Sequence, residues 1–546
     1  MPITLKLTTR SPVHIGTGRE LEAFEYLIHD GYFWRLHPDR LTMFLLEAAG
    51  NEAVDQFASW ISQVAERLTT APNNREQSRL RQSITIRNFL RHIAGQSNLE
   101  QRFLASLPEL ASYYMPTTQA HFRQLIREQL KTPDGKLYVP GSSLKGALRT
   151  CLLYQVLTEA DKKTVNRWRQ HFAEELKQLK KRKRKAQFLA KWLEQEVFFC
   201  GVRRREDISW GDAQYDLLKF LMVSDSTAVA PEENGMVLNV NLYLPGARPQ
   251  PQAPPVEALG VDVALEARIG FEVQFFQTAW KLLQQKTQGM GKQIWIELPE
   301  RFERLYGLSL KEAQALSTEE LERRLLARVR TAVRNFSEAL RTFEIQWCQR
   351  AERGTTSLLA RQLQHFYDSL PDDAIRLGWG SGFAAVTAFL ALRDELEWEE
   401  TLEELLVARF PSRKISTDTF PRSRRMAPQR GVVPLALPLG WIALEWPEPA
   451  QTPARETAAA NAPEEPLLLE RIGPRSQNIL AEVVDNTKMP FLIRVFVRGL
   501  ESKTFRCGGA RAQNLQIGQR LLVEVAEWDK RGNCPRMFRV QSLRVK

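Results

Sequence analysis

Leu137-Tyr-Val-Pro-Gly-Ser-Ser-Leu-Lys-Gly-Ala-Leu-Arg-Thr-Cys-Leu-Leu153 joins three kinds of local chemistry in one stretch. Leu137, Tyr138 and Val139 form a short apolar run that reads as the end of a strand. Pro140-Gly141-Ser142-Ser143 reads as a turn, because proline presets φ, glycine tolerates positive φ and serines bond back to nearby amides. From Leu144 the spacing predicts a helix, with Leu144, Leu148 and Leu152 on one face and Lys145 and Arg149 on another. A strand that enters a helix through Gly and Ser exposes free N–H groups at the helix start. With Lys145 beside them, these make an anion site. The same residues also fit an ordinary strand–turn–helix corner with both cations in solvent. The spacing is not that of a Walker A loop, so nucleoside triphosphate binding does not follow.

Tyr138-Val-Pro-Gly-Ser-Ser-Leu-Lys-Gly-Ala-Leu-Arg149 resembles the central motif of the RAMP superfamily of CRISPR effector subunits. Further segments agree with it in order. They are Ser11-Pro-Val-His-Ile-Gly-Thr-Gly18, Met222-Val-Ser-Asp-Ser226, Leu377-Gly-Trp-Gly-Ser-Gly-Phe383, and Phe420-Pro-Arg-Ser-Arg-Arg425 followed by Pro438-Leu-Gly-Trp-Ile442. The set spans about residues 1–446 and is most similar to the fifth-named subunit of the type III-A (Csm) complex. The resemblance implies an α+β chain built from two ferredoxin-like (RRM-like) units with helical insertions. The first unit is expected over 1–243 and the second over 256–446, with the proline-rich stretch Pro245–Pro255 between them.

Composition is compatible with that expectation. The chain has 546 residues, 43% apolar and 26% charged, which is globular. Its net charge of +12 favours an anionic partner, nucleic acid first. Five scattered cysteines give neither a zinc ribbon nor a disulfide framework, which suits a cytoplasmic location. No signal peptide or apolar run of membrane-spanning length is read, so no membrane partner is expected. No cofactor or metal is expected.

Ile3, Leu5 and Leu7 alternate with polar residues as a half-buried strand, and Phe24–Ile28 with Tyr32–Leu36 reads as a hairpin. Residues 51–130 read as mostly helical, and 301–370 as helical with Ser317-Thr-Glu-Glu320 as a capping box. Lys177–Lys185 carries seven basic residues in nine. It reads either as an exposed helix tracking a phosphate backbone or as a solvated linker helix. Asp225 reads as a turn former bonding the amides that follow it.

The candidate RNA contacts are His14, Gly16 and Gly18 in the first loop, and Ser142, Ser143, Lys145 and Arg149 at the helix start. Gly378, Trp379, Gly380 and Gly382 belong to a glycine loop that lets backbone approach a ligand, with Trp379 able to stack on a base. Arg422, Arg424 and Arg425 lie in a proline-broken loop. In some RAMP endonucleases a histidine near the N-terminus acts as acid or base, so His14 has a catalytic reading. Its other reading is a loop histidine that positions the glycine turn. The backbone subunits of type III complexes cut target RNA with an aspartate in a loop after the first strand, but Arg19–Glu25 contains none.

Beyond a Pro/Ala/Thr-rich linker at 447–465, residues 466–546 hold four short strands, at 479–484, 491–497, 521–526 and 537–543, and read as a small OB-like β-barrel. It is either another RNA contact or a structural appendage.

The resemblance implies a non-catalytic RNA-binding subunit that caps the 3′ region of the CRISPR guide RNA and supports its maturation. Its partners would be that guide RNA and other Csm subunits. Target RNA and a recruited nuclease remain open as further partners. Two alternatives also stay open, a RAMP-family endoribonuclease that processes CRISPR RNA and a type III-B RAMP subunit.

Overall fold

The computed structural model describes residues 2–447 except 94–97, 123, 183–190, 201, 205–206, 210–215, 275–276, 279–297, 396–397, 411–418 and 430–431. It also describes 474–542 except 475, 478, 488–489, 498–499, 501–502, 509–519 and 530–533. The chain divides into two compact units, Met1–Glu448 and Pro449–Lys546.

The first strand, Ile3–Thr9, alternates as its sequence predicts, with Leu5 and Leu7 buried. It lies inside a five-stranded antiparallel sheet ordered Ala374–Arg376, Trp441–Glu445, Ile3–Thr9, Ala264–Phe271, Leu221–Val223. Leu7 is opposite both Leu265 and Leu444. The helix Gly141–Thr158 lies between the first strand and Leu221–Val223, and the long helix Thr318–Ala351 precedes the last strand. The two helices meet, with the Tyr154 and Phe336 rings 5.4 Å apart and Asn335 Nδ2 donating to Gln155 Oε1 at 2.7 Å.

A second sheet has six strands in the order Ala436–Pro438, Arg424–Pro428, Gly235–Tyr243, Gln250–Leu259, Ile126–Gln129, Gly16–Leu21. The stretches read as 1–243 and 256–446 therefore contribute strands to both sheets. The proline-rich stretch is not a separator but the strand Gln250–Leu259. Register shifts at Val240 let its prolines enter the sheet without the ladder bonds that they cannot make.

Within the region read as helical, 51–130, the helices among the described residues end at Leu110. Ala111–Pro116 and Ile126–Gln129 are strands, the former pairing with the expected hairpin Tyr26–His29/Tyr32–Leu36. The full capping box belongs to Ser309 and Glu312. Ser317 caps Glu320 N, but the Glu320 carboxylate turns to Arg323 and Arg324. No helix among the described residues is long and apolar enough to cross a membrane.

The organising stretch is a corner held from both sides. Leu137 makes isolated bridges to Lys131 and Val229 rather than ending a regular strand, and the helix starts at Gly141. Asp225 does not bond the amides that follow it. Its Oδ1 accepts the Gly141 N–H at 2.8 Å, so the protein's own carboxylate sits at the helix start. A Cβ on Gly141 would come within 2.4 Å of the Val223 carbonyl.

Arg149 is not in solvent. Its Nε donates to Glu194 at 2.5 Å and its NH1 to Asp216 at 2.7 Å, and the guanidinium lies 4.0 Å from the Phe198 ring centre. Burial, and secondarily the like charge of Arg149, lower the Lys145 pKa against the opposing pull of Asp216. Arg149→Ala is expected to destabilise the first unit by about 2–3 kcal/mol, since two charge-assisted bonds vanish and two carboxylates lose their partner. Arg149→Lys should recover only part of this, because an ammonium cannot fork between Glu194 and Asp216. Thermal unfolding measures both, and an unchanged midpoint in Arg149→Ala would refute a structural role.

The second unit is a closed five-stranded barrel. Its order is Ile479–Asp485, Phe491–Val495, Thr504–Gly508, Cys534–Ser542, Arg520–Asp529 and back to the first. Ile479, Val483, Phe491, Ile493, Val523 and Phe538 fill the interior. Thr504–Gly508 is a strand that the sequence reading omits.

Candidate nucleic-acid interface

One face of the six-stranded sheet, together with the loops that cover it, gathers most of the candidates. The register sets that face. Val256 is opposite both Arg127 and Leu238, and Leu242 is opposite Arg425. Side chains paired across a sheet share a face, so Arg127 and Arg425 project on the same side as Leu238 and Val240. These two apolar residues form a small cluster with Val256, Ala258, Ala427 and Leu439, and half-buried Trp379 packs against it. The Arg127 guanidinium lies 4.7 Å from the Trp379 ring centre and that of Arg425 lies 5.2 Å from it.

The glycine loop puts Trp379 there. Gly378, Gly380 and Gly382 have φ of 81°, 90° and 89°, values that L side chains rarely adopt. A Cβ on Gly378 would lie 2.5 Å from the His14 carbonyl, and one on Gly380 would lie 2.7 Å from Leu439 Cδ1. The Trp379 N–H donates to the His14 carbonyl at 2.8 Å.

Beneath the loop, buried Glu344 pairs with Arg376 at 3.1 Å and Arg424 at 2.6 Å. Arg376 also donates to the carbonyls of Leu439 and Gly380 at 2.8 and 3.2 Å, which fixes the loop from below. Arg424 is therefore a buried structural cation and not an exposed loop residue. Alternation along the strand Arg424–Pro428 turns it inward and leaves Arg425 exposed. Arg422 is exposed, and its carbonyl accepts the Trp347 indole N–H at 2.8 Å.

His14 is the clamp between sheet and loop. It is 2% exposed, and its Nδ1 donates to the Glu257 carbonyl at 2.6 Å, which leaves Nε2 without the proton. The Glu257 carboxylate is fully buried. It accepts the Tyr113 hydroxyl at 2.7 Å, the Gln129 amide at 2.9 Å and Lys131 Nζ at 2.5 Å. The His14 pKa is lowered to about 4, by burial first and then by the charges of Arg127 and Lys131, against the opposing bond to the Glu257 carbonyl. A Cβ on Gly16 would approach Nε2 to 2.9 Å, whereas Gly18 has open space around it.

Partial burial first, and then Arg127, hold the Arg425 guanidinium below its ordinary pKa. Glu20, 3.7 Å from Arg127, is the one carboxylate paired with either arginine among the described residues. The site thus carries excess positive charge around an aromatic ring, a surface suited to phosphates and a stacked base.

His14, Gly16, the glycine loop and Arg425 converge here. Ser142, Ser143, Lys145 and Arg149 belong to the helix corner. Sequence reasoning missed Arg127, which lies in the stretch read as helical, and Lys131 and Glu257, which lie just past that stretch and just past the separator. The apolar run Pro254-Pro255-Val256 around Glu257 was the available signal. Most of Lys177–Lys185 lies outside the residues whose side chains are described.

Because the folded His14 value lies below the free value of 6.5, the unfolded chain takes up this proton first. Stability from this group is complete above pH 6.5 and is lost as pH falls toward about 4, by up to about 3 kcal/mol. The wild-type unfolding midpoint should drop more between pH 7 and 4.5 than that of His14→Gln. Equal pH dependence in the two would disprove the effect.

The chain has counterparts among known proteins. A family model described as RAMPs, the RAMP superfamily, matches residues 6–384. The fold is similar to that of a chain in the cryo-EM structure of a Csm-crRNA-target RNA ternary complex from a type III-A CRISPR-Cas system. That match has 24% identity and a TM-score of 0.50, and it covers 82% of this chain and all of that one. The crystal structure of T.onnurineus Csm5 aligns at 20% identity with a TM-score of 0.47, covering 80% of this chain and 99% of that one. No curated protein matches the chain.

Proposed function

The chain belongs to the RAMP superfamily, and from that premise we propose that it is a non-catalytic RNA-binding subunit of a type III-A CRISPR (Csm) ribonucleoprotein. It caps the 3′ end of the guide RNA and supports guide maturation in antiviral defence in the cytoplasm, in contact with neighbouring Csm subunits. The observation that carries this reading is Trp379 held between Arg127 and Arg425 over one face of the six-stranded sheet. The likeness to a chain of a complex that contains crRNA and target RNA supports it.

The strand order of the five-stranded sheet supports one ferredoxin-like unit. Its elements are Ile3–Thr9, the helix Gly141–Thr158, Leu221–Val223, Ala264–Phe271, the helix Thr318–Ala351 and Trp441–Glu445. They follow a β-α-β-β-α-β course. The six-stranded sheet stands where a second unit was expected.

Contacts of this kind act on phosphate and on the faces of bases, so binding should depend little on sequence. Arg127→Ala/Arg425→Ala should weaken guide binding and make its salt dependence shallower, by roughly 0.7 per lost phosphate contact on a single strand. Affinity across a salt series is the measurement, with circular dichroism as the folding control. A folded double variant with unchanged affinity and slope would overturn the assignment.

A non-catalytic subunit leaves labelled precursor CRISPR RNA intact. The burial of His14 and the bond from its Nδ1 to a main-chain carbonyl support that expectation. Specific cleavage that disappears in His14→Ala would instead establish the endoribonuclease alternative.

A further inference from the structure

We propose that the C-terminal barrel is a second, separate binding site for single-stranded nucleic acid, on the outer face of Phe491–Val495, Thr504–Gly508 and Cys534–Ser542. The first argument is charge. Residues 466–546 contain 15 Lys or Arg against 7 Asp or Glu, a net +8, whereas the whole chain carries +12. Two thirds of the excess charge therefore sits in 81 residues. That density favours a polyanionic partner.

The second argument is topology. The barrel order is first, second, third, fifth, fourth, with Thr504–Gly508 parallel to Cys534–Ser542 and all other pairs antiparallel. A closed barrel offers no free strand edge, so a partner cannot add a strand to it. Its interior is filled by Ile479, Val483, Phe491, Ile493, Val495 and Phe538, which excludes a ligand inside. Recognition is left to side chains on the outer face. In five-stranded barrels of this order, the second and third strands form the face on which oligonucleotides lie.

The third argument is what that face carries. Leu492, Arg506 and Met537 are in register across three strands, as are Arg494 with Thr504 and Gly508 with Arg539. Arg494 pairs with Glu482 at 3.0 Å. Arg506 and Arg539 are exposed, and neither makes an ion pair among the described residues. They stand on neighbouring strands two residues apart in register, with Met537 beside them. Guanidiniums set among apolar side chains suit a strand that presents both phosphates and base faces. A duplex hides its base faces and would gain only the phosphate contacts.

The test uses the full chain carrying Arg127→Ala/Arg425→Ala, so that the first unit contributes least. Binding of a fluorescein-labelled 16-mer of oligouridine is followed by anisotropy across a KCl series. The comparison adds Arg506→Glu/Arg539→Glu to the same chain. The added pair is expected to reduce affinity by tenfold or more and to make the salt slope shallower by about 1.4, two contacts at roughly 0.7 each. Arg506→Ala/Arg539→Ala serves if the reversal disturbs folding, with a smaller loss in the same direction. Equal affinity and slope with and without the barrel substitutions would overturn the proposal. So would a 16-base-pair duplex bound as tightly as the single strand, or polyglutamate of equal charge that displaces the oligonucleotide as well as unlabelled oligouridine does. The comparison is made within one first-unit background, so its outcome is independent of whether Arg127 and Arg425 bind guide RNA.

Discussion

The buried carboxylate of Glu257 is the constraint on which the interface depends. An ionised carboxylate removed from water is tolerated only when its lone pairs are met, and here three donors from two segments meet them. Tyr113 comes from the hairpin sheet, and the Gln129 amide and Lys131 come from the strand Ile126–Gln129 and its exit. The Glu257 main-chain carbonyl holds His14. Each bond fixes a register. With Glu257 on one face of the sheet, Val256 must lie on the other, and Arg127 opposite it must do the same. A slip of one residue would bury Arg127 and expose Glu257. The position of Arg127 at the candidate interface is thus set by an acid on the other side of the sheet.

The arginines divide into two populations with different physics. Arg376 and Arg424 are buried around Glu344, where planar guanidiniums can share one carboxylate and still donate to carbonyls. Their role is to give the glycine loop one shape. Arg127 and Arg425 flank an indole at the surface, and among the described residues the one carboxylate paired with either is Glu20, beside Arg127. Arg424 and Arg425 are adjacent in the chain and lie in opposite populations, because successive strand residues face opposite sides. Charge counting along the sequence cannot separate them.

This marks what was legible beforehand. The first strand, the hairpin, the helix after Pro140, the long apolar stripe of Thr318–Ala351 and four of the five barrel strands have periodic patterns, and the structure contains them. The glycine loop was readable because three glycines in five residues demand positive φ. The strand Gln250–Leu259 was hidden because its prolines signal a loop unless bulges accommodate them, and bulges belong to the pairing. Arg127 was hidden because a four-residue strand is too short to show alternation. The sharing of both sheets by the two halves was also hidden, since pairings such as Thr4 with Arg268 leave no local trace.

The helix start at Gly141 shows how the chemistry of a motif can be met from within the chain. Free amides at a helix N-terminus do attract an anion. The anion is Asp225, carried on the adjoining turn and bonded to the Gly141 N–H. An intramolecular carboxylate has a large effective concentration there, and an external phosphate would have to displace it. Ser226 reinforces the tie, with its hydroxyl accepting the Val139 N–H at 2.9 Å and its own amide donating to the Val139 carbonyl. The corner therefore joins the crossover helix to the end of the Leu221–Val223 strand. Glycine is required at 141 because backbone from that strand occupies the place where a Cβ would sit. The most recognisable stretch of the sequence thus has a structural role at this corner. The candidate binding surface is assembled from four separate segments, the His14 loop, Arg127, Trp379 and Arg425, which only the folded sheet brings together.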